Sequence, residues 1–152
     1  MPTTKICESG GSSRPSLEQI YMRFAEHLAR RSTCKRLQVG AVIVTNDLEQ
    51  VLALGYNGNA RGLINTCDSE EVGNCGCIHA ELNALIKCGK QHPDKIMFVT
   101  SSPCVACAKA IINSRFSKVY FSREFRKRDG IYLLEQCGIT VGIVQNESDS
   151  AR

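Results

Sequence analysis

No apolar run in the sequence approaches the ~20 residues that a spanning helix needs, which excludes a helical membrane protein. Met1 to Ser16 lacks the apolar stretch of a secretory signal, so a cytoplasmic location is expected. There is no internal repeat, low-complexity tract or dividing linker, so the 152 residues are expected to form a single domain. Strong charge is missing as well. Nineteen Lys and Arg against fifteen Asp and Glu leave a net charge of +4. That is below the basicity of a dedicated nucleic-acid module, and no nucleic-acid partner is expected. Hydrophobic residues at 43% and charged residues at 22% exclude a disordered chain. Histidine is scarce, with three, whereas cysteine is abundant, with nine. In a reducing compartment structural disulfides are not expected, and an odd number cannot pair completely. Clusters of cysteine then point to metal sites or buried thiols.

Residues 1–15, rich in Ser, Gly, Thr and Pro, are expected as a flexible leading segment, residues 16–145 as the folded domain and residues 146–152 as a polar tail. Ser16 and Gln19 form a capping box for a first helix. Leu17, Ile20, Phe24 and Leu28, with Tyr21 alongside, give it an apolar stripe ending near Arg31. Val39 to Val44 and Val51 to Tyr56 read as a β-hairpin. Asn57 to Ile78 has little periodicity. Helices are expected over Ala80–Lys90, Cys104–Asn113 and Ile131–Gln136, and strands over Ile96–Thr100, Lys118–Phe121 and Ile139–Val144. Alternating strands and helices imply parallel pairs, and the opening hairpin makes the sheet mixed. The fold class is α/β, a three-layer α/β/α domain with a mixed five-stranded sheet.

Two helix starts carry metal-binding chemistry. One is His79-Ala80-Glu81 and the other Pro103-Cys104-Val105-Ala106-Cys107. Together they match the H-x-E…P-C-x-x-C signature of zinc deaminases. Cys104 and Cys107, three residues apart at a helix start, aim both sulfurs at one point. The positive end of the helix favours their thiolates. His79 is a third ligand, leaving the fourth tetrahedral position for a water whose pKa falls toward ~7. Glu81 is not needed as a ligand and is free to move protons. A lone C-x-x-C is more often structural or redox, but both halves of the signature occur here once and in the right order.

These motifs resemble the cytidine and deoxycytidylate deaminase superfamily, and the deoxycytidylate (dCMP) deaminases in particular. The likeness runs from Ser16 to Val144 and includes Arg31 to Cys34, Val39 to Val44, Gly55-Tyr56-Asn57-Gly58, both zinc motifs, Gly130 to Leu134 and Gly138-Ile139. It implies hydrolysis of dCMP to dUMP and ammonia, with dUMP feeding thymidylate synthesis. It also implies a zinc cofactor, a homo-oligomer that is commonly hexameric, and regulation by nucleoside triphosphates such as dCTP and dTTP. Residue by residue, Asn57 matches a contact to the base or sugar, and Ala80 a small residue whose N–H meets the ring carbonyl. The backbone at Ser102 matches the acceptor of the exocyclic amine. Phe125 stands where Tyr is usual, keeping the stacking surface without the hydroxyl. Arg126 is suited to a phosphate, although such a basic run is most often a solvated face.

Cys34, Cys67, Cys75 and Cys77 stand apart from the catalytic set. Some viral dCMP deaminases bind a second zinc in this region; Cys34, Cys67 and Cys77 match three of its ligand positions by that resemblance, and nearby Cys75 supplies the fourth of a closed structural site. The alternative is four free thiols. Cys7, Cys88 and Cys137 have no partner pattern. Two other functions remain open: deamination of a different substrate (dCTP, a free base or transfer-RNA adenosine), or a zinc-stabilised binding module without catalysis. Glu81 argues against the module, because a structural site has no use for its carboxylate.

Overall fold

In a computed structural model of the protein, residues 4–5, 14–71, 74–89 and 92–146 are described. Along them run β1 (Thr4–Lys5), α1 (Leu17–Ala29), β2 (Gly40–Val44), β3 (Val51–Tyr56) and α2 (Ala80–Cys88). They continue with β4 (Lys95–Ser101), α3 (Val105–Asn113), β5 (Phe116–Arg123), α4 (Asp129–Gln136) and β6 (Thr140–Ile143). The strand order is β1-β6-β5-β4-β2-β3. β2 is antiparallel to β3 and β4, whereas β4–β5, β5–β6 and β1–β6 are parallel. All five expected strands are present in a mixed sheet. β1 is a sixth, with Thr4 opposite Gly142, so part of the leading segment expected to be loose is paired at the β6 edge. Cys7 and residues 147–152 lie outside the described residues.

The pleat divides the core. Ala41, Ile43, Met97, Val99, Val119 and Phe121 face α2, α3 and α4, meeting Ala84, Ile111 and Leu134. Val42, Val44, Ile96, Phe98 and Tyr120 face the other way, onto Met22 and Ala25 of α1. β4 is buried along its whole length, which suits a strand covered on both faces. Among the described residues no helix is long and apolar enough to cross a membrane.

The capping box of α1 is present, Ser16 Oγ accepting from Gln19 N–H and Gln19 Oε1 from Ser16 N–H. Its buried face differs from the expected stripe. Met22, Ala25 and Ala29 are buried, whereas Leu17, Ile20 and Phe24 are 43%, 44% and 37% exposed. The cause lies beneath the helix: a Cβ on Gly40 would run into the Ala25 carbonyl oxygen and lie 2.7 Å from Ala29 N. Small residues on the helix and a glycine on the strand bring the two backbones together, and this selects the alanine face. Gly40→Ala is therefore expected to cost about 1–3 kcal/mol as an overpacked contact, read as a lower urea midpoint.

Lys95, at the start of β4, is buried although it ends in a charge. Its Nζ donates to the carbonyls of His92 and Ser114, at 2.7 and 2.6 Å, and lies over the Phe116 ring. At the opposite side of the sheet, α2 lies against edge strand β3. Asn83 Nδ2 donates to the Tyr56 carbonyl at 2.9 Å and Lys87 Nζ to that of Leu54 at 3.1 Å.

Candidate active site and metal centres

The end of β4 leads through Ser102 and Pro103 into α3, so Cys104 and Cys107 lie at the carboxyl end of a central strand, a usual place for a site in such sheets. Cys104 is the N-cap of α3, its sulfur accepting from the Cys107 N–H at 3.5 Å. His79 is the N-cap of α2 and makes no side-chain capping bond, which leaves its ring available. Two helix N-termini thus converge, and both favour negative charge between them. Gly130, in the first turn of α4, lets that helix close on the Pro103–Cys104 segment, because a Cβ there would strike the Pro103 carbonyl.

His79 Nδ1 lies 3.6 Å from Cys104 Sγ and 3.3 Å from Cys107 Sγ. Tetrahedral zinc, with Zn–S about 2.3 Å and Zn–N about 2.0–2.1 Å, separates a sulfur from a nitrogen by about 3.6 Å. The donor set fits that ion. Its electrostatics fit as well. Hydrogen bonds from Cys107 and His79 hold the Cys104 thiol down to about 3, while proximity to Cys104 and burial push Cys107 up. Only one thiolate is favoured unless a cation supplies the balancing charge. His79 is raised in turn by its hydrogen bond to Cys104. Glu81 is 4% exposed, and burial raises its pKa. Its carboxyl interacts with Cys107 but lies outside the three-ligand set. His79 is exposed and Cys107 buried, so the set opens to solvent on the histidine side.

Cys34, Cys67, Cys75 and Cys77 also converge, every sulfur within 4.8 Å of the others. Cys67 Sγ is 3.8 Å from Cys34 Sγ and 3.9 Å from Cys77 Sγ. Four sulfurs around tetrahedral zinc stand about 3.8 Å apart, whereas a disulfide needs about 2.05 Å. Burial opposes ionisation of Cys34, but hydrogen bonds from the Leu37 and Arg36 backbone outweigh it and lower the thiol. Burial and neighbouring Cys75 and Cys67 push Cys77 up. The structure therefore brings together both sets of cysteines singled out in the sequence.

The model for the cytidine and deoxycytidylate deaminase zinc-binding region matches residues 15–123. The chain belongs to that family. Among the family's curated members, ComE operon protein 2 of Bacillus subtilis is 35% identical over 87% of this chain and 73% of its own length. The deoxycytidylate deaminase of Saccharomyces cerevisiae is 34% identical over 84% of this chain, which spans only 45% of the yeast protein. Among solved structures of the family, a dCMP deaminase from cyanophage S-TIM5, crystallised with dCMP and dUMP, superposes with a TM-score of 0.78 at 38% identity. That comparison covers 88% of this chain and all of the cyanophage chain.

The remaining deaminase-motif residues are distributed as follows. Ala80 is fully buried in the first turn of α2. Ser102 is buried, donates its N–H to the Arg123 carbonyl at 2.9 Å and accepts from the Phe125 N–H through Oγ at 2.6 Å. Phe125 is 38% exposed, and Arg126 is exposed beside an Arg128–Glu124 ion pair. Asn57 is buried, Nδ2 donating to the Leu37 carbonyl at 2.7 Å and Oδ1 accepting from Val39 N–H at 2.8 Å. Asn59 and Asp68 were not singled out by motif, yet they shape the cysteine loop. Asn59 Nδ2 donates to Asp68 Oδ1 at 2.7 Å, and Asp68 N–H donates to the Cys75 carbonyl at 2.7 Å. The only sequence signal for them is the turn-forming character of Asn and Asp in a stretch without periodicity.

Proposed function

We propose that the protein is a zinc-dependent deoxycytidylate deaminase: dCMP and water give dUMP and ammonia, and the dUMP serves thymidylate synthesis. The observation that carries this is a buried carboxyl, Glu81, beside a solvent-open three-ligand metal set in which it takes no part. His79, Cys104 and Cys107 would hold zinc, which would supply the acidity that readies a water for attack on C4 of the cytosine ring. Glu81 would take a proton from the attacking water and deliver it to the leaving amine. Its raised pKa suits a group that must be both base and acid near neutrality.

The substrate contacts belong to this reading. The first N–H groups of a helix have no partner within it, and Ala80 offers such a donor to the ring carbonyl. The Ser102 N–H is already bonded, which leaves its carbonyl to accept the exocyclic amine. Phe125 stacks on the base and Arg126 pairs with the phosphate. Asn57 keeps one N–H beyond its bond to Leu37 for the sugar or base. A second zinc in the Cys34, Cys67, Cys75, Cys77 set, a homo-oligomer, and regulation by dCTP and dTTP complete the proposal.

The test is ammonia release by the zinc-loaded protein from dCMP, dCTP, cytidine and an RNA hairpin carrying adenosine. Turnover of dCMP is expected to exceed the others by about 100-fold in kcat/KM, near the discrimination that charged, hydrogen-bonded contacts supply. Faster turnover of the RNA or the nucleoside would overturn the substrate, and absence of ammonia from all four would overturn the enzyme.

A further inference from the structure

We infer that Asn57 is a positioning residue for both metal sets. The inference rests on the metal reading above and goes beyond a contact with substrate. Asn57 ends the hairpin, just past β3, and its buried amide grips the α1–β2 connection at Leu37 and Val39. Those residues follow closely on Cys34, a donor in the closed set. The Asn57 N–H donates to the Val39 carbonyl as well, at 3.2 Å. On its other side, Gly58 exchanges two backbone bonds with Ile78, at 3.2 and 2.8 Å. Ile78 stands between Cys77, a donor in the closed set, and His79, a donor in the open one. A single point in the chain thus braces the Cys34 connection and abuts the segment that supplies one ligand to each set.

The consequence is physical. Metal sites hold their affinity when their ligands are pre-positioned, and outer-shell partners typically carry 10–100-fold of it. Asn57 does this through backbone rather than through the ligand side chains. Removing its amide frees the Leu37–Val39 connection that leads from Cys34 into β2. It also loosens the end of β3 from which Gly58 holds Ile78.

The experiment is a Co2+ titration of metal-stripped protein, followed by thiolate charge-transfer absorption and by competition with Zn2+, with thermal unfolding monitored by circular dichroism. Wild type, Asn57→Ala and Asn57→Asp are compared. The set of four thiolates absorbs more strongly than the set of two thiolates and one imidazole, so the two sites are read separately. Asn57→Ala is expected to weaken metal at both sites by about tenfold or more. Asn57→Asp, which keeps the acceptor for Val39 and loses the donor to Leu37, is expected to fall between. Unchanged affinities in both variants, with only KM for dCMP raised, would overturn the inference in favour of substrate contact alone. Variants already unfolded at the titration temperature would also overturn it, because a local brace leaves the sheet folded. Wild-type protein that binds no Co2+ or Zn2+ would instead bring down the metal reading itself.

Discussion

Glu81→Gln is expected to reduce ammonia release from dCMP by at least 10²–10⁴-fold while zinc content stays at the wild-type level. Two observations lead to opposite expectations for activity and for metal. Glu81 is buried against Cys107, which places its carboxyl beside the centre where the proton has to move. The metal donors, however, are His79, Cys104 and Cys107, and these stay intact. Glutamine preserves the volume of the side chain, but its amide can neither take up nor release a proton near neutrality. Metal analysis alongside single-turnover kinetics checks both halves. Near wild-type turnover with zinc bound would remove Glu81 from the mechanism, and loss of zinc would make it a ligand.

The second large effect is expected for Cys67→Ser. Serine is close to isosteric but a poor zinc donor, so the closed set of four loses its function with little change in packing. Cys67 is the sulfur seen close to both Cys34 and Cys77, which makes it the natural one to remove. Zinc content should fall from about two ions per chain to about one. Loss of a structural metal is among the few single changes that cost several kcal/mol. At about 2–4 °C per kcal/mol for a chain of this size, the melting temperature should drop by roughly 10 °C. Catalysis suffers indirectly, because only Ile78 separates Cys77 from His79. One zinc in both proteins, with the same melting temperature, would leave the four as free thiols.

The set of His79, Cys104 and Cys107 was legible because its signal is local, whereas the four-cysteine set, spread from Cys34 to Cys77, was reached only through the family resemblance. C-x-x-C at a helix start and H-x-E at another specify geometry over single turns, and the structure brings these donors to within 4.8 Å. The five main strands were legible from β-branched runs bounded by turn residues. The buried face of α1 was not. An apolar stripe shows which residues could be buried, but the choice of Ala25 and Ala29 over Leu17, Ile20 and Phe24 depends on a glycine eleven or more residues away. Lys95 was hidden for a similar reason, since its carbonyl partners come from His92 and Ser114. The amide of Asn57 also finds partners about twenty residues back, and an Asn-Gly pair in sequence signals only a turn.

The hydrogen bonds from α2 to β3 bear on how copies of this chain can meet. A bare sheet edge is a template, offering free carbonyls and N–H groups to any passing strand. On β3 the Tyr56 and Leu54 carbonyls already carry Asn83 and Lys87, one helical turn apart, and the second donor brings an ammonium charge. A strand arriving there would have to strip both donors and desolvate that charge. The folded protein is therefore guarded against edge-to-edge growth on this side of the sheet.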